Sequence, residues 1–225
     1  MIPYLINFHE PFVLISTGTW CITLNPFNSS PLTPEELEKD CLSYMEYKGK
    51  PVKASRIFAG YEHDQQVKRI ATHFNESPGR YKTMEYDGSI INDLLKAMEE
   101  RNEPGPQATK ESAFGARDLA TFDSDIVAYH QFMLDIARQQ LASTTLVMPV
   151  NGVKRIFVDG GFSKNAIYMN LLAMMFPEIE VFAASMAQAT AIGTALAIHK
   201  CWNTKPMPND IIELKFYATN NNVKI

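Results

Sequence analysis

Ile156-Phe157-Val158, running into Asp159-Gly160-Gly161-Phe162-Ser163-Lys164-Asn165, restricts the last third of this chain to one kind of architecture. The short apolar run reads as a buried strand, and the segment from Asn165 to Phe176 reads as a helix. Val181-Phe182 then reads as a strand and Ala187 to His199 as a second helix. Strand, helix, strand, helix in that order predicts an α/β layer architecture. The paired glycines at the first junction strip side chains from one face of the turn. A planar or anionic ligand can then lie against bare backbone, beside the N–H groups that open the next helix.

A second loop far upstream matches it. Phe12-Val13-Leu14-Ile15 and Trp20-Cys21-Ile22-Thr23-Leu24 are β-type runs that meet at Thr17-Gly18, the pattern of a tight hairpin. Its tip, Ser16, Thr17, Gly18 and Thr19, can aim backbone N–H groups and hydroxyls at one spot, a concavity suited to phosphate oxygens. The same residues also suit an ordinary surface hairpin. In the downstream loop, the Asn165 amide is placed to read an adenine edge and Ser163 reads as a helix N-cap. Asp159 either positions water or ribose or caps the turn. No GxGxxG follows a strand and no GxxxxGK[ST] occurs, so neither a dinucleotide fingerprint nor a P-loop is present.

Between the loops, Thr33-Pro34-Glu35-Glu36 is a capping box opening a short helix. Cys41 to Tyr47 and Val52 to Phe58 flank Lys48-Gly49-Lys50-Pro51 as a second hairpin. Helices are predicted from about Glu62 to Phe74, from Ile90 to Glu100 and from Asp123 to Leu146. Arg101 to Arg117 is the one long loop, and Ile211 to Tyr217 suits an edge strand.

With 225 residues, 46% of them apolar, the chain can bury a core of its own, and a net charge of -4 without a basic stripe argues against a nucleic-acid partner. Cys21, Cys41 and Cys201 are scattered and odd in number, which fits a reducing compartment, and no basic-then-apolar leader is visible; the default is cytoplasmic. No apolar run is long enough for a membrane span. The five histidines (His9, His63, His73, His130, His199) make no zinc pattern, and Glu111, Asp123 and Asp125 read as solvated caps, so no metal ligand is predicted.

The order Ser16-Thr17-Gly18-Thr19-Trp20, then Asp159 to Asn165, then Ala187-Gln188-Ala189-Thr190-Ala191-Ile192-Gly193-Thr194-Ala195 resembles the C-terminal half of an FGGY carbohydrate kinase, of the actin/hexokinase/Hsp70 superfamily. The Gly-Thr-Trp form of the first loop is most similar to rhamnulokinase and fuculokinase relatives. The resemblance covers essentially the whole chain as a single domain, residues 1–225, and implies an actin-like (ribonuclease H-like) ATPase lobe: a mixed sheet with an N-terminal β-hairpin and flanking helices. It implies that Thr17-Gly18-Thr19 holds the distal phosphates of ATP, delivered with Mg2+. It also implies that Gly160 and Gly161 line the adenosine pocket with Asn165 beside the base, and that the helix from Ala187 packs at a hinge between lobes through its small residues.

The sugar pocket of such kinases lies mainly in an N-terminal lobe, absent from this chain. Their catalytic aspartate precedes the phosphate hairpin, so the base is expected upstream of Met1 and no catalytic residue is assigned. His63-Asp64-Gln65-Gln66 has a similar look but follows the hairpin and reads as the first turn of an amphipathic helix. The expected function is the nucleotide-binding lobe of a sugar kinase, inactive alone. A self-contained, non-catalytic actin-like module and a kinase using Asp64 as base are the other readings. A lobe exposed in this way is expected to dimerise through its uncovered apolar face.

Overall fold

The computed structural model describes residues 1–109, 111–148, 152–186, 188–208 and 210–218. The chain opens with a short helix that the sequence pattern did not signal, α1 (Ile2–Asn7). The hairpin β1 (Phe12–Thr17) and β2 (Cys21–Asn25) follows, closing with Thr17 opposite Cys21. Next come α2 (Pro34–Glu38), β3 (Cys41–Met45) and β4 (Pro51–Ile57). The capping box at Thr33 forms as expected, its hydroxyl accepting from Glu36 N–H while the Glu36 carboxylate accepts from Thr33 N–H.

The middle of the chain is helical: α3 (Ala59–Phe74), α4 (Gly88–Glu100) and the long α5 (Asp125–Val147). The last third alternates as predicted, through β5 (Arg155–Gly160), α6 (Ala166–Met175), β6 (Glu180–Ser185), α7 (Ala189–Ala197), the single turn α8 (His199–Trp202) and β7 (Glu213–Tyr217). Ala187, where the last long helix was expected to start, lies outside the described residues.

Among the described residues, seven strands form one mixed sheet in the order β3-β4-β2-β1-β5-β6-β7. Strands β1, β5 and β6 run parallel, and the remaining neighbours are antiparallel. Side-chain alternation divides the core between the two faces. Val13, Ile15, Ile156 and Val158 point to the face covered by α3, α4, α5 and α6, where the main core lies. Phe12, Leu14 and Phe157 point to the other, where Tyr4 and Phe8 from α1 and its flank pack on them. Gly193 of α7 faces α1, and a Cβ there would stand in ordinary contact, 3.6 Å from the Pro3 ring.

Helix α5 is buried nearly all round, so its polar side chains must find partners inside. Gln140 donates to Thr23 at 2.9 Å, Ser143 donates to Ser55 at 2.9 Å, and Ser55 returns a bond to the Ser143 carbonyl at 2.7 Å. These bonds fix the register of α5 across β2 and β4. No helix among the described residues is long and apolar enough to cross a membrane.

Two expectations are corrected here. Ser163 does not cap α6: it sits in a turn of 3₁₀ helix, Phe162–Lys164, and its hydroxyl donates to the Gly160 carbonyl. Asn165 is the cap, its Oδ1 accepting from Tyr168 N–H at 3.0 Å. Asp125 is buried and ion-paired to Arg80 at 2.9 Å rather than a solvated cap, which is Ser124.

Candidate functional site

The carboxyl ends of β1 and β5 lie side by side, with Thr17 in register with Gly160. Thr17 joins the two predicted loops. Its hydroxyl donates to the Asp159 carbonyl at 2.6 Å and accepts from Phe162 N–H at 3.0 Å, and its carbonyl accepts from Gly161 N–H at 3.0 Å. Gly160 has φ +95°, and a Cβ there would lie 1.9 Å from the Thr17 oxygen, so a glycine is needed for this close approach.

A third element docks on the hairpin tip. The Gly18 carbonyl touches Gly60 so closely that a Cβ on Gly60 would lie 1.8 Å from it, and Tyr61 N–H donates to Thr19 O at 3.0 Å. This contact brings α3 in three residues earlier than its apolar periodicity suggests. Trp20 leans against Phe58 beside the tip, with the Arg56 guanidinium 4.7 Å from its ring.

Together the three elements border a cleft of about 560 Å³ on the helix-covered face. The hairpin contributes Thr17, Gly18 and Thr19, and the downstream loop contributes Gly161, Phe162, Lys164 and Asn165. Helices α3 and α5 add Gly60, Tyr61, His63, Asp64 and Tyr129, and the turn before α4 adds Tyr81 and Lys82. Gly161 has ordinary helical dihedrals and nothing within 4 Å of where its Cβ would be, so its missing side chain opens directly on free space.

Inside the cleft a polar chain is buried. Asn165 Nδ2 donates to the Tyr129 hydroxyl at 2.7 Å, and that hydroxyl lies 2.9 Å from His63 Nε2. Burial pushes the His63 imidazole down to about 4, so the ring is neutral near pH 7. His130, the other buried histidine of this region, is satisfied structurally by the Ile126 carbonyl and by Asp87 N–H.

Of the eight residues singled out from the sequence, Thr17, Gly18, Thr19, Gly161 and Asn165 line this cleft, and Gly160 stands directly behind it. Ser16 and Asp159 are paired with each other across β1 and β5, and strand alternation turns both toward the α1 face. There the Asp159 carboxylate, after burial itself, raises the Tyr4 hydroxyl. The sequence reading missed Gly60, Tyr61, His63 and Tyr129. Gly60 alone left a signal, a glycine just ahead of an amphipathic run. Asp64, read as a look-alike of a family base, stands on the cleft rim and is 77% exposed.

Among the described residues no group of three or more His, Cys, Asp or Glu side chains is placed to hold a metal ion. A cleft opened by a bare glycine and ending in backbone turns suits a planar group with an anionic tail.

No curated protein matches the chain. Among solved structures, a carbohydrate kinase from Novosphingobium aromaticivorans superposes with TM-score 0.63 at 17% identity, over 97% of this chain and 46% of that one. A ligand-bound xylulose kinase from Lactobacillus acidophilus gives 0.62 at 12% identity, over 98% and 46%. A glycerol kinase from Plasmodium falciparum with ADP gives 0.56 at 17%, over 90% and 41%. The chain thus spans less than half the length of each, and at these identities the likeness establishes the fold, the actin-like (ribonuclease H-like) ATPase type. Residues 9–206 match the family described as Carbohydrate kinase FGGY, C-terminal domain. The chain belongs to that family, and the part of it represented here is the C-terminal domain.

Proposed function

We propose that residues 1–225 act as the nucleotide-binding lobe of an ATP-dependent carbohydrate kinase, a single domain whose partner lobe carries the sugar pocket and the catalytic base. The observation that carries this reading is the cleft itself, where two glycine-bearing loops are joined through Thr17 and Gly161 leaves the wall open. Mg-ATP, when bound, would supply the phosphoryl group, with the Mg2+ arriving as part of the nucleotide substrate. The chain's own residues hold and orient. The Thr17 to Thr19 backbone would face the phosphates, with the Gly18 N–H already given to the Trp20 carbonyl, and Lys82 and Lys164 on the border add positive charge. Asn165 faces the base. Phosphoryl transfer depends chiefly on such positioning, so the lobe contributes without a reactive side chain and transfers nothing alone. A cytoplasmic setting and self-association through faces open in the isolated lobe belong to the same reading.

Calorimetric titration of Mg-ADP into the chain, beside a Gly161→Val variant, tests it. A valine at 161 projects into open space, so the fold is expected to survive while binding drops at least tenfold. A parent chain that takes up no nucleotide, or a variant that binds as the parent does, removes the cleft from the mechanism.

A further inference from the structure

Asn165 is held at both ends of its amide. Its oxygen accepts from Tyr168 N–H at 3.0 Å, the cap of α6, and its nitrogen donates to the Tyr129 hydroxyl at 2.7 Å. An amide flipped by 180° would put its NH2 against the Tyr168 N–H and its oxygen against the Tyr129 hydroxyl. The first contact already opposes the flip, donor against donor, and the second adds to the lock only where the hydroxyl does not donate to Asn165, because a hydroxyl can donate as readily as it accepts. Tyr129 would tolerate the flipped amide if its proton were free to turn toward Asn165.

That proton is committed elsewhere. His63 Nε2 lies 2.9 Å from the Tyr129 oxygen, and the ring is neutral. Because the Tyr129 oxygen already accepts from Asn165 Nδ2, the arrangement that satisfies all three groups has the Tyr129 proton given to a bare His63 Nε2. The Tyr129 hydroxyl then donates to His63 and presents only lone pairs to Asn165. Stacking on Phe132 and an edge contact with Phe162 hold the His63 ring in this pose. The chain runs in one direction, Asn165 to Tyr129 to His63.

We propose that His63 and Tyr129 are positioning residues that set the choice of nucleobase, by fixing which end of the Asn165 amide meets the ring bound in the cleft. The inference rests on the nucleotide reading above. With both anchors in place, Asn165 has one N–H and one carbonyl lone pair left, in a fixed order. Adenine carries an exocyclic amine beside a ring-nitrogen acceptor and is complementary to such a pair, whereas guanine carries an acceptor oxygen in place of the amine. An amide locked with its carbonyl toward the 6-position bonds adenine and opposes guanine. An amide held by the cap alone turns over more readily than one held at both ends, so the second anchor adds selectivity rather than raw affinity.

The test is the ratio of Mg-ADP to Mg-GDP affinity, measured by calorimetry on the parent chain and on Tyr129→Phe, His63→Leu and His63→Gln. The parent is expected to prefer the adenine nucleotide. Tyr129→Phe and His63→Leu should lower the ratio by roughly two- to tenfold, the worth of one hydrogen bond. His63→Gln, whose side-chain oxygen reaches the place of Nε2, should keep it. A purely structural role would shift melting temperature without moving the ratio. A parent that prefers adenine, with all variants keeping the parental ratio, overturns the positioning role and leaves the nucleotide site standing. A parent that binds both bases equally does the same. A parent that binds neither removes the site, and this inference with it. Should the substituted chains not fold, imidazole ¹⁵N shifts of the parent decide: a bare Nε2 is expected, and a proton on Nε2 overturns the directed chain.

Discussion

A methyl group added at Gly160 would stand 1.9 Å from the Thr17 carbonyl oxygen, in a backbone at φ +95°, whereas one added at Gly161 would meet nothing within 4 Å. The two glycines therefore answer to different constraints, one to packing and the other to the cleft. Gly160→Ala is expected to cost on the order of 3–5 kcal/mol, because strain at positive φ adds to a collision with backbone that cannot retreat. Gly161→Ala should stay within about 0.5 kcal/mol of the parent. Paired urea melts check both, and equal melts for the two variants would contradict the assignment. The double glycine was legible in the sequence as a strand-to-helix turn stripped of side chains, but which glycine serves the fold required the distance to Thr17, 143 positions earlier. Period-two alternation in β5 is itself readable, and it puts Asp159 on the side of Phe157, away from Ile156 and Val158. The identity of Asp159 as an acidic residue beside a nucleotide-like loop outweighed that parity. His63 and Tyr129 were beyond reach, since a histidine and a tyrosine on separate helices carry no mutual spacing signal.

At the scale of elements, the segment Arg101 to Arg117 is the long loop its composition predicts, and composition leaves its tethers unread. Its prolines and glycines read as a long loop of the kind that is often mobile, yet buried carboxylates tether it. Glu62 of α3 accepts from both the backbone N–H and the hydroxyl of Ser112. Arg117 bridges Glu103 at 2.8 Å and Asp135 of α5 at 2.7 Å. Burial raises the Asp135 carboxyl, and the Arg117 guanidinium opposes that shift, so removing the arginine leaves a buried acid without its counter-ion. Arg117→Ala is expected to cost about 3 kcal/mol and to open the segment to limited proteolysis, while Arg101→Ala, on the exposed side of Glu103, should change little. Comparable proteolysis rates for the two would show that the tether does not hold the loop. The hairpins, α5 and the closing strand-helix alternation were predictable because each declares itself within a dozen residues. The tethers join positions up to 50 apart, and nothing local distinguishes Glu62 from a solvated acid in the first turn of a helix.

At the scale of the whole molecule, the sheet among the described residues ends at β3 on one side and at β7 on the other. Sheet order could not be read from the chain, because β1 and β5 are parallel neighbours separated by more than a hundred residues of other structure. That order leaves β3 at one edge, with Tyr44 and Met45 exposed, and β7 at the other, with Leu214 39% and Phe216 54% exposed. Ile198 and Trp202, at 52% and 58%, add apolar surface at α8. An edge strand bearing apolar side chains is a template for pairing with another copy, and β7 carries only Glu213 and Lys215 as charged deterrents. The isolated chain is therefore expected to gain mass with concentration in multi-angle light scattering across the micromolar range. Substituting Leu214→Glu together with Phe216→Lys should hold it monomeric by placing charge where a second strand would dock. A parent that stays monomeric at the highest concentration would show that these residues tolerate solvent in the separate lobe. A double variant that associates as the parent does would move the contact away from β7, leaving the β3 edge and α8 as the surfaces to substitute next.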